Sequence, residues 1–194
     1  MKVIGLTGGI GSGKSTVSEY LKIKNISIID ADAISREIVI PGSKMSALDE
    51  LVNAFGPSIL SNDGTLDRKK LASKAFSTKE NKELLDTIML GKIVSIILKR
   101  IEEAKMLDLM QVVIDAPLLF EADLAQYCDE IWVVYASDEV RINRVMSRDG
   151  ATKEEVIARI NTQTTTEEKK LKTTHILDNS TTKEALYNQI DEIL

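Results

Sequence analysis

Cysteine and histidine are nearly absent from this chain of 194 residues, which holds one of each, Cys128 and His175. A lone cysteine closes no internal disulfide. Two such ligands are also too few for zinc ribbons, zinc fingers or iron–sulfur cages, which gather several in clusters. Scarce thiols outside a disulfide framework point to reducing, intracellular conditions and a cytoplasmic location. Aromatic residues make up 4% of the chain, and 25 basic against 30 acidic side chains leave a formal charge of −5. The stacking platforms and the basic footprint of a dedicated nucleic-acid binder are both missing, so no nucleic-acid partner is expected. No run approaches the ~20 apolar residues that span a bilayer, and the apolar opening is too short for a secretory h-region. No membrane partner is expected either.

What is present fits one globular domain large enough to bury a core without staples. Short apolar, β-branched runs at 3–6, 26–29, 112–114, 131–134 and 176–177 read as buried strands. Helical patterns fill 16–24, 33–39, 46–55, 68–76, 80–105, 138–147, 153–162 and 183–193. Strands alternating with helices predict an α/β fold, a parallel sheet with helices on both faces. Capping-box spacing marks three helix starts, Ser77 with Glu80, Thr152 with Glu155 and Thr181 with Glu184. Gly91 falls inside the longest pattern, so 80–105 reads either as one kinked helix or as two. About 80 residues separate the second strand from the third, far more than one crossover needs. The expected organisation is a core at about 1–37, 106–137 and 171–194, a helical subdomain at about 38–105, and a smaller helical excursion at about 138–170 that ends in a polar run at 162–168.

The strongest motif is Gly8-Gly9-Ile10-Gly11-Ser12-Gly13-Lys14-Ser15, a P-loop with its glycines, lysine and hydroxyl in place. A strand leads into it and an amphipathic helix follows, the context its mechanism requires. Glycines let successive N–H groups point inward, and the helix N-terminus adds partial positive charge against phosphates. Lys14 is expected on the β- and γ-phosphates of a nucleotide, and the Ser15 hydroxyl on Mg²⁺. Asp115, closing the third strand run, is the candidate carboxylate for that metal, and Asp30 and Asp32 follow the second run beside the same crevice. As single residues, each also reads as a helix cap.

P-loops serve switches, motors and small-molecule kinases, so the cradle does not name the reaction. The Asp-x-x-Gly and Asn-Lys-x-Asp signatures of GTPases are absent, the nearest approach being Asn81-Lys82-Glu83-Leu84. Arg141, Arg144 and Arg148 share one helical face. That face reads either as a cationic cover for a triphosphate or as a solvated surface balanced by Asp138, Glu139, Asp149 and Glu155.

Together these residues resemble the dephospho-CoA kinase family almost end to end. The resemblance rests on the stretch from Gly5 to Thr16, on Ile29-Asp30-Ala31-Asp32 with Ser35-Arg36, on Pro41-Gly42, Phe55-Gly56 and Asp63-Gly64-Thr65-Leu66-Asp67-Arg68, and on Asp115-Ala116-Pro117-Leu118-Leu119-Phe120-Glu121. It continues through Arg144, Arg148-Asp149-Gly150, Ala158-Arg159-Ile160, Gln163 and Asp178-Asn179. It implies a P-loop kinase core, a helical acceptor-binding insertion and an arginine-bearing lid. The implied reaction is transfer of the ATP γ-phosphoryl group to the ribose 3′-hydroxyl of dephospho-CoA, with Mg²⁺, as the last step of coenzyme A synthesis. Lys14, Asp32, Arg144 and Arg148 are the implied catalytic residues, Asp32 as acid–base or positioning group. Gly8, Gly11, Ser12, Gly13, Lys14, Ser15, Thr16, Arg148 and Asn179 would bind the nucleotide, Ser15 and Asp115 the metal. Asp32, Arg36, Arg68, Leu118, Phe120 and Glu121 would bind the acceptor. The chain departs from the family pattern at Leu90-Gly91, at Arg141, where glutamine is usual, and at Asn179-Ser180-Thr181.

Another P-loop nucleoside or nucleotide kinase, or a non-catalytic ATP-binding regulator, is the alternative reading, and a monomer or small homo-oligomer is expected. His175, Cys128, Trp132 and Tyr135 read as structural. Met106, Leu107, Leu109 and Met110 read as packing where the long helix meets the sheet.

Overall fold

The computed structural model describes residues 1–43, 45–161 and 173–194. The polar run at 162–168, with Gln163, lies outside the described residues. Two compact units divide the chain, Met1–Ile29 with Ala104–Leu194, and Asp30–Glu103. The sequence reading puts the insertion at about 38–105.

The first unit carries a five-stranded sheet in the order β2-β3-β1-β4-β5, formed by β1 (Lys2–Gly8), β2 (Ser27–Asp30), β3 (Gln111–Asp115), β4 (Glu130–Tyr135) and β5 (His175–Asp178). β1 runs parallel to both β3 and β4, and β4 parallel to β5. Register pairs Leu6 with Asp115 on one side and with Trp132 on the other. The carboxyl ends of these strands therefore share one edge, and each loop leaving that edge can contribute to one site.

Helices α1 (Lys14–Ile23), α6 (Asp138–Asp149), α7 (Lys153–Asn161) and α8 (Lys183–Ile193) belong to this unit. Because the inner strands are buried on both faces, they read as near-continuous apolar runs. Ile4, Leu6, Val113, Trp132 and Val134 meet Val17 and Leu21 of α1 and Leu186 and Ile190 of α8 in one cluster. Trp132 is fully buried, as expected, and its Nε1 donates to Glu130 Oε2 at 3.1 Å. At the cluster's rim the Tyr20 and Tyr187 rings stack 3.9 Å apart, and Tyr20 donates its hydroxyl to Asp191 at 2.8 Å. These contacts bind α1 to α8 and so anchor the helix that the P-loop opens. His175 begins β5 with Nε2 3.8 Å from Glu130 Oε2, a structural placement.

The second unit contains α2 (Ala31–Glu37), α3 (Leu48–Phe55), α4 (Arg68–Ala75) and α5 (Lys79–Met106) as far as Glu103. Ile34, Leu51, Phe55, Ile59 and Leu71 are among its buried side chains. Asp30 caps α2 by accepting from Ala33 N at 2.8 Å, and Asp67 caps α4 by accepting from Lys69 N and Lys70 N at 3.0 and 3.1 Å. Helix α5 runs unbroken through Gly91 as one helix. Its buried stripe of Ile93, Ile96, Ile97 and Ile101 outweighs the ~1 kcal/mol that glycine costs.

Three local expectations change. The box at Thr152 forms, with Thr152 N donating to Glu155 Oε2 at 2.9 Å and Glu155 N to Thr152 Oγ1 at 3.3 Å. The other two caps sit one residue later, where Thr78 accepts from Asn81 N at 3.1 Å and Thr182 from Ala185 N at 3.2 Å. Ser77 is drawn away because its hydroxyl donates to the Lys74 carbonyl, 2.6 Å distant, at the end of α4. Met106, Leu107 and Met110 do not pack against the sheet; they are 83%, 72% and 85% exposed. They fall in a tight turn in which Asp108 takes a φ of 52° and Leu109 N donates back to Ala104 O. The turn carries those side chains past the last buried position of α5.

Cys128 is half-buried and its thiol donates to the Leu124 carbonyl at 3.4 Å. Desolvation, with the Asp129 charge second, pushes its pKa from 9.0 up to about 12. The native thiol is therefore inert at neutral pH. The associated stability is intact below pH 9.0 and is lost as pH rises toward about 12, where the unfolded chain has released a proton that the native chain retains. A disulfide thiol reagent at pH 8 is expected to leave native Cys128 unmodified over an hour and to label it within minutes in urea. Rapid native labelling would disprove the buried-thiol reading.

Candidate active site

The P-loop bridges the carboxyl end of β1 and the start of α1, and its turn uses left-handed backbone at Gly11 (φ 77°) and Gly13 (φ 88°). Glycine is needed at both for space as well as dihedral angle. A Cβ at Gly11 would stand 2.7 Å from the Arg141 carbonyl oxygen, and one at Gly13 would stand 2.1 Å from Asn179 Nδ2. Inside the turn, Ser12 N donates to Gly9 O at 3.1 Å and Thr16 N to Gly13 O at 2.9 Å. The amides of Gly11, Gly13, Lys14 and Ser15 have no acceptor among the described residues. They are the orphan donors of a helix N-terminus, and they suit an anion.

The carbonyls of the same turn are held by side chains from other elements. Arg141 Nε donates to Ile10 O at 3.0 Å, and Asn179 Nδ2 donates to Ser12 O at 2.8 Å. Arg144 Nη1 lies 3.5 and 3.4 Å from the carbonyls of Gly11 and Ser12, and its Nη2 donates to Asn179 O at 2.9 Å. Arg141 is buried, with Nη1 on Asp138 Oδ1 at 3.1 Å. The face of α6 is thus neither a plain phosphate cover nor a solvated surface. Arg141 is sunk beneath the loop, Arg144 clasps its carbonyls, and Arg148 stands at the rim.

A cleft of about 560 Å³ opens above the loop. Of the expected site residues, Gly8, Gly11, Gly13, Lys14, Ser15, Thr16, Arg144, Arg148 and Asn179 line it, joined by Pro117, Val145 and Lys183. Among the described residues, four cations and no carboxylate stand in its wall. Ser12 is not in the wall; its hydroxyl is buried without a partner among the described residues, and only its backbone serves the turn. Arg148 gives Asp149 a two-pronged pair at 2.7 and 3.0 Å, and Arg159 joins at 3.2 Å. The bonds to Asp149 raise the Arg148 pKa, and Arg148 first, with Arg159 adding to it, draws the Asp149 carboxyl below the usual carboxylate range.

Asp115 ends β3 as expected; it is buried and does not itself line the cleft, but touches Lys14, which does. One oxygen pairs with Lys14 Nζ and the other accepts from Ser18 Oγ. Next in the chain, Leu118 is exposed, Phe120 half-buried and Glu121 exposed, and none of the three lines the cleft. In the helical unit, Asp32 lies exposed in the first turn of α2, Arg36 in its last turn, and Arg68 opens α4, also exposed.

Sequence reasoning passed over Lys183 and Ser18. Lys183 had a signal, since it opens α8 four residues beyond Asn179. Ser18 follows Ser15 by three positions, one helical turn along α1. The departure at Ser180 is structural, as Ser180 Oγ accepts from Ser137 N at 3.0 Å and ties the loops after β4 and β5 together.

The model of the dephospho-CoA kinase family matches residues 2–184. The dephospho-CoA kinase of Carboxydothermus hydrogenoformans is 41% identical over all of this chain and 93% of its own length. Among solved structures, TT1252 of Thermus thermophilus superposes with a TM-score of 0.82 at 32% identity, covering 99% of this chain and 95% of that one. The dephospho-CoA kinase of Campylobacter jejuni does so with a TM-score of 0.66 at 26% identity, covering 99% and 95%. The carbonyl-braced P-loop, the cationic cleft and a family match spanning nearly the whole sequence agree: this chain belongs to the dephospho-CoA kinase family.

Proposed function

We propose that this chain transfers the γ-phosphoryl group of ATP to the ribose 3′-hydroxyl of dephospho-CoA, completing coenzyme A. The observation that carries the reading is the cleft wall itself: among the described residues, the amides of Gly11, Gly13, Lys14 and Ser15 have no acceptor and stand beside Lys14, Arg144 and Arg148, with no carboxylate to repel a triphosphate. Gly8, Gly11, Gly13 and Thr16 shape the phosphate cradle, with Ser12 contributing backbone. Lys14 neutralises the β- and γ-phosphates, and Asn179 bounds the nucleotide end of the cleft.

The donor set fits Mg²⁺. A magnesium site needs one or two carboxylates and otherwise takes oxygens from hydroxyls, phosphates and water. Ser15 and Asp115 supply that minimum, and among the described residues no cluster of three acidic, histidine or cysteine side chains builds an all-protein cage. When bound, the ion offsets charge developing on the phosphates. Lys14 leaves Asp115 for the nucleotide as the cleft fills. Arg144 and Arg148 neutralise the transferring group from the α6 side, the kind of contribution that raises phosphoryl-transfer rates by about 10³ to 10⁵.

Asp32 receives the proton of the attacking hydroxyl or orients it; a loose transition state demands little base strength, so positioning is the larger part. Arg36 and Arg68 suit an anionic acceptor, and Leu118, Phe120 and Glu121 its less charged portions. We assign the enzyme to the cytoplasm, as a monomer or small homo-oligomer with no nucleic-acid partner. No helix among the described residues is long and apolar enough to cross a membrane.

Incubation with ATP, Mg²⁺ and dephospho-CoA is expected to add about 80 Da to the acceptor, one phosphoryl group. Phosphorylation of a nucleoside in its place would transfer the reading to another P-loop kinase. Asp32→Asn is expected to leave ATP affinity within about twofold while lowering kcat by about 10² or more. Full turnover in that variant removes Asp32 from the reaction. For Lys14→Ala, calorimetry and kinetics are expected to show ATP affinity weakened about tenfold or more and kcat reduced as well, because the lysine touches ground-state and transition-state phosphates alike. Wild-type values for either quantity would contradict its role.

A further inference from the structure

Among the described residues, Asp115 has two side-chain donors of different character. Lys14 reaches one oxygen from the wall of the cleft, at the end of a flexible four-carbon stem, and the same ammonium can exchange a carboxylate for a phosphate. Ser18 reaches the other from the inner face of α1, where it is 5% exposed and its hydroxyl sits one bond from Cβ. Ser18 cannot swing away, because α1 is packed into the core by Val17 and Leu21 on either side of it in sequence. Its hydroxyl has one proton to give. The Lys14 carbonyl, 3.3 Å away, competes for it, but an ionised carboxylate is the stronger acceptor. One Asp115 oxygen is thus anchored and the other exchangeable.

We infer that Ser18 is a positioning residue for phosphoryl transfer. By holding Oδ2, it fixes the carboxylate whose other oxygen is on Lys14, so that once Lys14 moves to the nucleotide Asp115 would be held ready for the metal. This rests on the reading of Asp115 as the carboxylate for Mg²⁺. Without the hydroxyl, Oδ2 is left buried without a donor, and the carboxylate turns to find one.

Ser18→Ala places the best helix former at an interior helical position and removes one oxygen, so it tests the bond with little disturbance of α1. ATP binding is measured calorimetrically with and without Mg²⁺ in wild type, Ser18→Ala, Ser18→Thr, Asp115→Asn and the Ser18→Ala/Asp115→Asn pair. Metal-free affinity is expected to stay within about twofold in Ser18→Ala, while the enhancement of ATP binding by Mg²⁺ falls about tenfold, the scale typical of groups that orient a metal ligand. Ser18→Thr is expected to restore most of the enhancement, and Ser18→Ala to change it no further once Asp115 is Asn. In turnover, kcat falls and the KM for dephospho-CoA holds.

An unchanged Mg²⁺ enhancement in Ser18→Ala overturns the inference. An equal loss in the Asp115→Asn background also overturns it, since Ser18 would then act by some route other than Asp115. If ATP binding to the wild type ignores Mg²⁺, the metal reading fails and this inference falls with it. That outcome is distinct, because it appears in the wild type alone.

Discussion

A peptide unit carries its N–H and C=O on opposite sides, so a loop that turns its amides toward an anion must send its carbonyls elsewhere and satisfy them there. In this protein that requirement is met by side chains from two other parts of the chain. Arg141 and Arg144 come from α6, and Asn179 comes from the end of β5. Their acceptors are the carbonyls of Ile10, Gly11 and Ser12. The glycines permit the turn, but the arginines and the asparagine hold it in the orientation useful for binding. Close approach adds a second constraint, because Gly11 and Gly13 lie against Arg141 and Asn179 with no room for a Cβ.

This bracing changes what the arginines of α6 mean. A face with arginines at spacings of three and four invites the picture of a lid reaching over phosphates. Here the three residues form a graded series, from the buried Arg141, through the half-buried Arg144, to the exposed Arg148. Arg141 and Arg144 both reach backbone carbonyls of the loop, Arg141 with a second bond to Asp138; at the rim, Arg148 is paired with the carboxylate of Asp149. Because two of these residues grip the P-loop directly, a displacement of α6 and a change in the shape of the cradle are mechanically linked.

Beside the P-loop, the central place of β1 does similar work. Pairing of Leu6 with Asp115 in the β1–β3 register brings the end of β3 level with the loop that leaves β1. The core cluster behind them holds α1 against the sheet, so Lys14 and Ser18, both on α1, meet Asp115 from either side. A buried carboxylate is tolerated because both oxygens have donors, one of them cationic.

The sheet was legible because buried parallel strands are written as short apolar runs, and the phosphate cradle because its glycines, lysine and hydroxyl must stand at set spacings. Local patterning was weaker at helix ends. The hydroxyls of Ser77 and Thr78 are chemically equivalent in sequence, and the choice between them fell to the carbonyl that α4 leaves beside Ser77. It was also misleading at Met106, Leu107 and Met110, whose apolar character does not reveal that a left-handed turn at Asp108 sends them outward. The sequence by itself determined the strand–loop–helix unit, the α/β class and the residue types available to a nucleotide, since these follow from periodicity and motif spacing. Only the tertiary structure decided that Arg141 and Asn179 serve the loop's carbonyls, that Ser12 lies under the turn, and that Ser18 reaches Asp115. Those contacts join residues roughly 100 to 170 positions apart, and pairing at that separation is set by sheet register and packing, which no local pattern encodes.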